Sequence, residues 1–164
     1  MQKSIEKFLA KKQMKARVFI DTNIFFYFFS DTDLEKKEIS SQIIKSSFKS
    51  DNFFISYQVI QEFSNVLLTK ARPPMKEQDV SSLIEKILEP MCSFFPTVDF
   101  YKRALKLREK NQLSYYDSLI ALAALELNCE YLLSEDFHDG ARIHKMKVVN
   151  PFRKTNQKVI NTIL

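Results

Sequence analysis

Arg17-Val-Phe-Ile-Asp-Thr-Asn-Ile24 decides how this chain is read. Val18, Phe19 and Ile20 are residue types that suit a buried strand. Asp21, Thr22 and Asn23 end the apolar run, and their short oxygen-bearing side chains suit the cap of a helix starting near Ile24. A strand that ends on an acid and passes straight into a helix is the first half of a βα unit.

The same alternation continues outward. Helices are expected over Leu34–Phe48, Tyr57–Lys70, Lys76–Leu88, Asp99–Asn111 and Tyr115–Asn128, and strands over Asn52–Ser56, Cys92–Val98, Tyr131–Leu133 and Lys147–Val149. Pro73 and Pro74 mark a loop, Pro90 stops a helix, Pro96 weakens the third strand and Pro151 ends the last. Strands alternating with helices imply an α/β sandwich around a mostly parallel sheet. Residues 1–15 read as an N-terminal extension, a short polar helix with Ile5, Phe8 and Leu9 as its apolar stripe. Residues 16–152 read as one domain, without repeats or a low-complexity linker, and 153–164 as a C-terminal tail.

Composition narrows the chemistry. A chain of 164 residues with 45% hydrophobic content can bury its own core. Gly140 is the single glycine, which argues against a P-loop or a dinucleotide fingerprint, since both need several glycines for close backbone approach to phosphate. The net charge of +5 favours a polyanionic partner, although a lysine-rich solvated surface accounts for it equally well. Cys92 and Cys129 stand apart among apolar neighbours, and His138 and His144 are too few for a histidine-rich metal site. Without a membrane-length apolar run or the apolar centre of a signal peptide, the sequence points to a reduced, cytoplasmic protein that does not enter the membrane.

Four acids fall where ligands bind in such folds. Asp21 and Asp136 each follow a strand, on the rim where open parallel sheets form their crevice. A helix cap explains Asp21 alone just as readily. Glu62 lies at the edge of the stripe Val59, Ile60, Phe63, Val66 and Leu67, from which a carboxylate can point into that rim; taken singly, a solvated glutamate is the commoner explanation. Asp117 opens the nearly all-apolar helix that contains Leu119–Leu127, with Ser114 as cap. The helix dipole favours an acid there, but a buried helix carries it into a crevice where unpaired charge is costly. Converging carboxylates repel one another and call for a counter-ion. Hard oxygen donors without His or Cys indicate Mg²⁺ or Mn²⁺, one ion or two roughly 4 Å apart, suited to in-line hydrolysis of a phosphodiester.

Val18-Phe-Ile-Asp-Thr-Asn-Ile24 resembles the opening of PIN-domain nucleases, especially VapC-type toxins of toxin–antitoxin pairs. Gln61-Glu-Phe63, Leu113-Ser-Tyr-Tyr-Asp-Ser-Leu-Ile120, Tyr131-Leu-Leu-Ser-Glu-Asp-Phe137 and Val148-Val-Asn-Pro-Phe152 follow in the family's order, so the resemblance spans about residues 17–152. Phe63 stands where leucine is more usual. The resemblance implies a PIN-like three-layer sandwich and a metal-dependent endoribonuclease, with Asp21, Glu62, Asp117 and Asp136 as its catalytic, metal-binding acids. Glu135 and Asp139 are neighbours that could replace Asp136. Asn23, Ser134 and Asp139 would support the acids.

It further implies an RNA substrate (tRNA or ribosomal RNA), a homodimer and a cognate antitoxin whose tail fills an apolar groove. Lys102, Arg103, Lys106, Arg108 and Lys110 on one helix, with Arg72 and Arg142, are the candidate phosphate contacts; for any one of them a solvated surface position is the simpler reading. A PIN fold that binds RNA or a partner without cleaving is the alternative. A dehalogenase-type phosphatase is disfavoured, because Asn23 stands where its Asp-x-Asp pattern needs the second acid.

Overall fold

Strand β1, Val18–Ile20, is wholly buried and lies inside the sheet, as its side chains dictate. The computed structural model describes residues 15–164, so the polar helix expected at the N-terminus lies outside the described residues, except for Lys15. β1 leads into α1 (Thr22–Phe29) and α2 (Leu34–Ser47), then β2 (Phe53–Ser56) and α3 (Tyr57–Thr69). After α4 (Glu77–Leu83) come β3 (Cys92–Phe94), α5 (Val98–Asn111), α6 (Tyr115–Glu126), β4 (Tyr131–Leu133), β5 (Arg142–Ile143), β6 (Met146–Val149) and α7 (Gln157–Ile163).

The strands lie in the order β3-β2-β1-β4-β6-β5, all parallel except β5, which runs antiparallel to β6. Val18 is in register with Phe53 on one side and Tyr131 on the other. Successive strand residues point to opposite faces, and every residue of β1 and β2 is buried. Both faces of the sheet centre are therefore covered, as parallel sheets require. Among the helices, α1 packs against α2 and α3, and α5 against α6. This is the mostly parallel α/β architecture expected from the sequence.

The differences have local causes. β3 ends at Phe94 rather than Val98, because Pro96 has no N–H for a ladder. The helix expected over Lys76–Leu88 is α-helical only to Leu83; a π-turn spans Ile84–Leu88 and a 3-10 turn Glu89–Met91, where Pro90 interrupts the bonding. The β5–β6 hairpin is not legible in the sequence, since two residues of β5 carry no readable period. His144 in its turn has φ of 54°. Residues 153–164, set apart from sequence as a tail, form a 3-10 turn and α7, and Ile160 and Ile163 join the core.

Candidate active site

The topology makes the crevice. The chain builds β1, β2 and β3 in one direction, then returns to lay β4 on the other side of β1. Loops leaving the carboxyl ends of β1 and β4 consequently diverge, and the gap between them is where ligands bind in such sheets. Asp21 follows β1 and Ser134 follows β4. Their backbone amides prolong the ladder by one step each: Asp21 N donates to Leu133 O at 3.1 Å, and Ser134 N to Val149 O at 3.2 Å.

Asp21 is 6% exposed. It is the residue before α1, as expected of a cap, but it bonds differently from an ordinary one. Its Oδ1 accepts from Thr22 N at 2.7 Å, the first helical amide, whereas a capping side chain normally takes the second or third. Its Oδ2 turns towards β4 and accepts from Ser134 Oγ at 2.6 Å and Asn23 Nδ2 at 3.2 Å. Burial pushes this carboxyl up to about 7, against the Ser134 and Thr22 hydrogen bonds that lower it, with the charges of Asp136 and Glu62 adding to the rise.

Asn23 ties two acids together. Its Nδ2 lies 3.2 Å from Ser134 Oγ and 3.1 Å from Asp136 Oδ2 as well as near Asp21, while its Oδ1 is buried without a partner among the described residues. Ser134, fully buried, also accepts from Asp136 N at 3.1 Å. Glu62 joins from α3. Its Oε2 accepts from Thr22 Oγ1 at 2.8 Å and its Oε1 from Gln58 Nε2 at 2.6 Å. Thr22 thus donates its N–H to Asp21 and its hydroxyl to Glu62, setting the spacing of the two carboxylates.

Asp117 is held less directly. Its amide is capped by Ser114 Oγ at 3.1 Å, and its carboxylate accepts no hydrogen bond among the described residues. Gln58 Nε2 lies 3.5 Å from Tyr116 O, which links Glu62's helix to the turn carrying Asp117. Asp21, Glu62 and Asp136 are therefore joined in one network, which among the described residues does not take in the Asp117 carboxylate. Among the described residues no three His, Cys, Asp or Glu side chains form a ready metal-ligand group.

Both rivals of Asp136 have bonding partners of their own. Glu135 pairs with Lys36. Asp139, expected to support the acids, instead accepts from Asn150 N and Asn156 Nδ2, each at 2.8 Å, and so secures the C-terminal segment. Its short polar side chain, five residues beyond the end of β4's continuation at Ser134, reaches the residues after β6 rather than the crevice.

Thr22, Asn23, Glu62, Asn65, Lys70 and Asp136 are among the residues lining a cleft of about 380 Å³. It shares Phe26, Val66 and Lys70 with a groove of about 680 Å³ whose walls include Phe29, Phe63, Leu67 and Met75. The basic candidates are dispersed. Lys102, Lys106, Arg108 and Lys110 are exposed on α5, Arg72 is exposed at the edge of the apolar groove, and Arg142 is exposed on edge strand β5. Arg103 is already engaged by Asp99 at 2.9 Å and by Glu126.

Sequence reading missed Thr22, Gln58 and Lys36 as site residues. Gln58 and Glu62 have the i, i+4 spacing that places two side chains on one helix face, a signal that was present. Lys36 lies 99 positions from Glu135, and no local pattern connects them.

Fold and site define a mostly parallel α/β domain whose crevice at the strand ends carries carboxylates rather than a glycine loop. The PIN domain family model matches residues 18–140, more than half of the chain, and the chain belongs to that family. No curated protein matches it in sequence.

Several solved structures share the fold, three of them as follows. A toxin–antitoxin complex from Klebsiella pneumoniae gives a TM-score of 0.60 at 22% identity, covering 82% of this chain and 97% of the other. VapC20 of Mycobacterium tuberculosis, described as a sarcin–ricin-loop-cleaving toxin, gives 0.58 at 14% identity, covering 79% and 98%. VapBC-1 of nontypeable Haemophilus influenzae gives 0.54 at 19% identity, covering 83% and 98%.

Proposed function

We propose that this PIN-domain protein is a metal-dependent endoribonuclease, the toxin of a toxin–antitoxin pair, which hydrolyses RNA phosphodiester bonds at the cleft beside Asp21. The observation that carries this reading is a buried carboxylate at the switch point, joined to Asp136 through Asn23 and Ser134 and to Glu62 through Thr22. Clustered negative charge, with no cationic side chain bonded to Asp21 among the described residues, suits a cation. The unpartnered Asn23 Oδ1 and the all-oxygen donor set suit a hard one.

Asp21, Glu62, Asp117 and Asp136 would hold Mg²⁺ or Mn²⁺, directly or through its waters. Mg²⁺ commonly keeps several waters and takes only one or two carboxylates, which fits a site where the described residues form no three-acid cage. When bound, the ion supplies an activated water and charge neutralisation at the scissile phosphate. Ser134 and Asn23 fix the Asp21 and Asp136 carboxylates, and Thr22 and Gln58 fix both oxygens of Glu62. Lys70, on the cleft wall, is placed to meet a phosphate. The apolar groove continuing from the cleft suits the tail of an antitoxin, and the family resemblance adds a homodimer.

The test is incubation of the purified protein with total RNA and Mg²⁺ or Mn²⁺ beside an Asp136→Asn variant. Discrete fragments are expected from the wild type alone. Equal cleavage by both proteins sinks the mechanism, and RNA retention without cleavage at any metal concentration makes the chain a binding module.

A further inference from the structure

Lys36 lies on α2, yet its ammonium pairs with Glu135, the residue immediately before Asp136. It also donates to the Tyr27 hydroxyl at 3.0 Å and stands 4.4 Å from the Tyr27 ring and 5.2 Å from the Phe152 ring. Tyr27 and Glu135 line the same cleft as Glu62 and Asp136. The pair is more shielded than the Lys37–Asp31 and Arg103–Asp99 pairs. Its side chains are 23% and 28% exposed, against 35% and 82% for Lys37–Asp31 and 41% and 72% for Arg103–Asp99. Solvent screens such a pair less than an open surface one.

Without Lys36, Glu135 would be an additional uncompensated carboxylate on a cleft already crowded with acids. We infer that Lys36 is the counter-ion that withdraws Glu135 from the acidic cleft, so that the Lys36–Glu135 pair sets the site's affinity for a divalent cation. The inference rests on the metal-dependent reading above.

The charge arithmetic gives it a sign. The intact pair contributes no net charge beside Asp136. Removing Lys36 leaves one negative charge, which strengthens binding of a dication; removing Glu135 leaves one positive charge, which weakens it. A unit charge about 6 Å from a divalent ion, at low salt, changes its affinity by about tenfold. If the pair merely braced the loop that carries Asp136, losing either partner would loosen the loop, and both changes would weaken binding.

Calorimetric titration of the full chain with Mn²⁺ alone, at low ionic strength, separates the two. Lys36→Met keeps an aliphatic stem against Tyr27 and Phe152 and is expected to bind Mn²⁺ about tenfold more tightly. Glu135→Gln is expected to bind about tenfold more weakly, and the double variant to return within about twofold of wild type. Weaker binding in both single variants, or no change in either, overturns the inference. If Lys36→Met does not fold, Lys36→Arg should match wild type while Glu135→Gln still weakens, and an unchanged Glu135→Gln overturns it. A wild type that takes up no Mn²⁺ refutes the metal reading and the inference with it, and is recognised by a flat titration in every protein.

Discussion

Asp21→Asn should make the metal-free protein more stable at alkaline pH, although it removes the centre of the proposed site. The carboxyl is 6% exposed, and burial, augmented by Asp136 and Glu62, carries it from 3.8 to about 7. Between those values the native state holds a proton that the unfolded chain has released, so stability is highest below the unfolded value and falls as pH rises towards the folded one. At about 1.4 kcal/mol per pH unit, three units set a ceiling of about 4 kcal/mol on the cost of ionised Asp21. Asparagine escapes that cost but loses part of the bonding to Ser134 and Asn23, worth about 1–2 kcal/mol. The expected net gain is about 2 kcal/mol at about pH 8, shrinking to nothing or reversing near pH 4. Urea unfolding of both proteins in chelator, at the two pH values, measures it. A variant less stable than wild type at the higher pH, or a difference independent of pH, refutes the reasoning.

Mn²⁺ at saturating concentration should raise the melting temperature of the wild type, because it binds the native state only. Glu62→Gln and Asp136→Asn should both reduce that shift, and an intact shift in both places the ion elsewhere. Ser134→Ala removes the 2.6 Å donor to Asp21 from a fully buried position. It should cost about 1–3 kcal/mol in denaturant unfolding at neutral pH, and about the surface-mutation level would contradict the network. Ile163→Ala should cost about 2–4 kcal/mol, since Ile163 is 4% exposed within the core; a neutral result would return residues 153–164 to the status of a tail.

Most of the fold is legible in local sequence because its signals are local. Val18-Phe-Ile20 and Tyr131-Leu-Leu133 read as strands from their own composition, and the Leu119–Leu127 run reads as a buried helix. What escaped has short or remote causes. β5 has two residues and therefore no period, and α7 looks like a tail until Ile160 and Ile163 meet the core. The acids could be named singly from strand ends and a helix edge, each with an ordinary structural explanation. The ordered PIN motifs made them a set.

The sequence by itself determined the α/β alternation, the single glycine that argues against a glycine-based phosphate grip, the membership that its motifs announce and which acids are candidates for the site. Only the tertiary structure decided how those acids are held. Asp21 sits beside Ser134 because β4 returns to the flank of β1, a neighbourhood of residues 113 positions apart. The same return gives Asp136 its link to Asn23, commits Asp139 to the C-terminal segment and brings Lys36 to Glu135. Hydrophobic period and capping chemistry act over a few residues and can be read along the chain. Desolvation, shared hydrogen bonds and charge pairing depend on which distant segments the sheet order makes neighbours, and these turned the stretch after Ile20 from a helix cap into the buried centre of a carboxylate network.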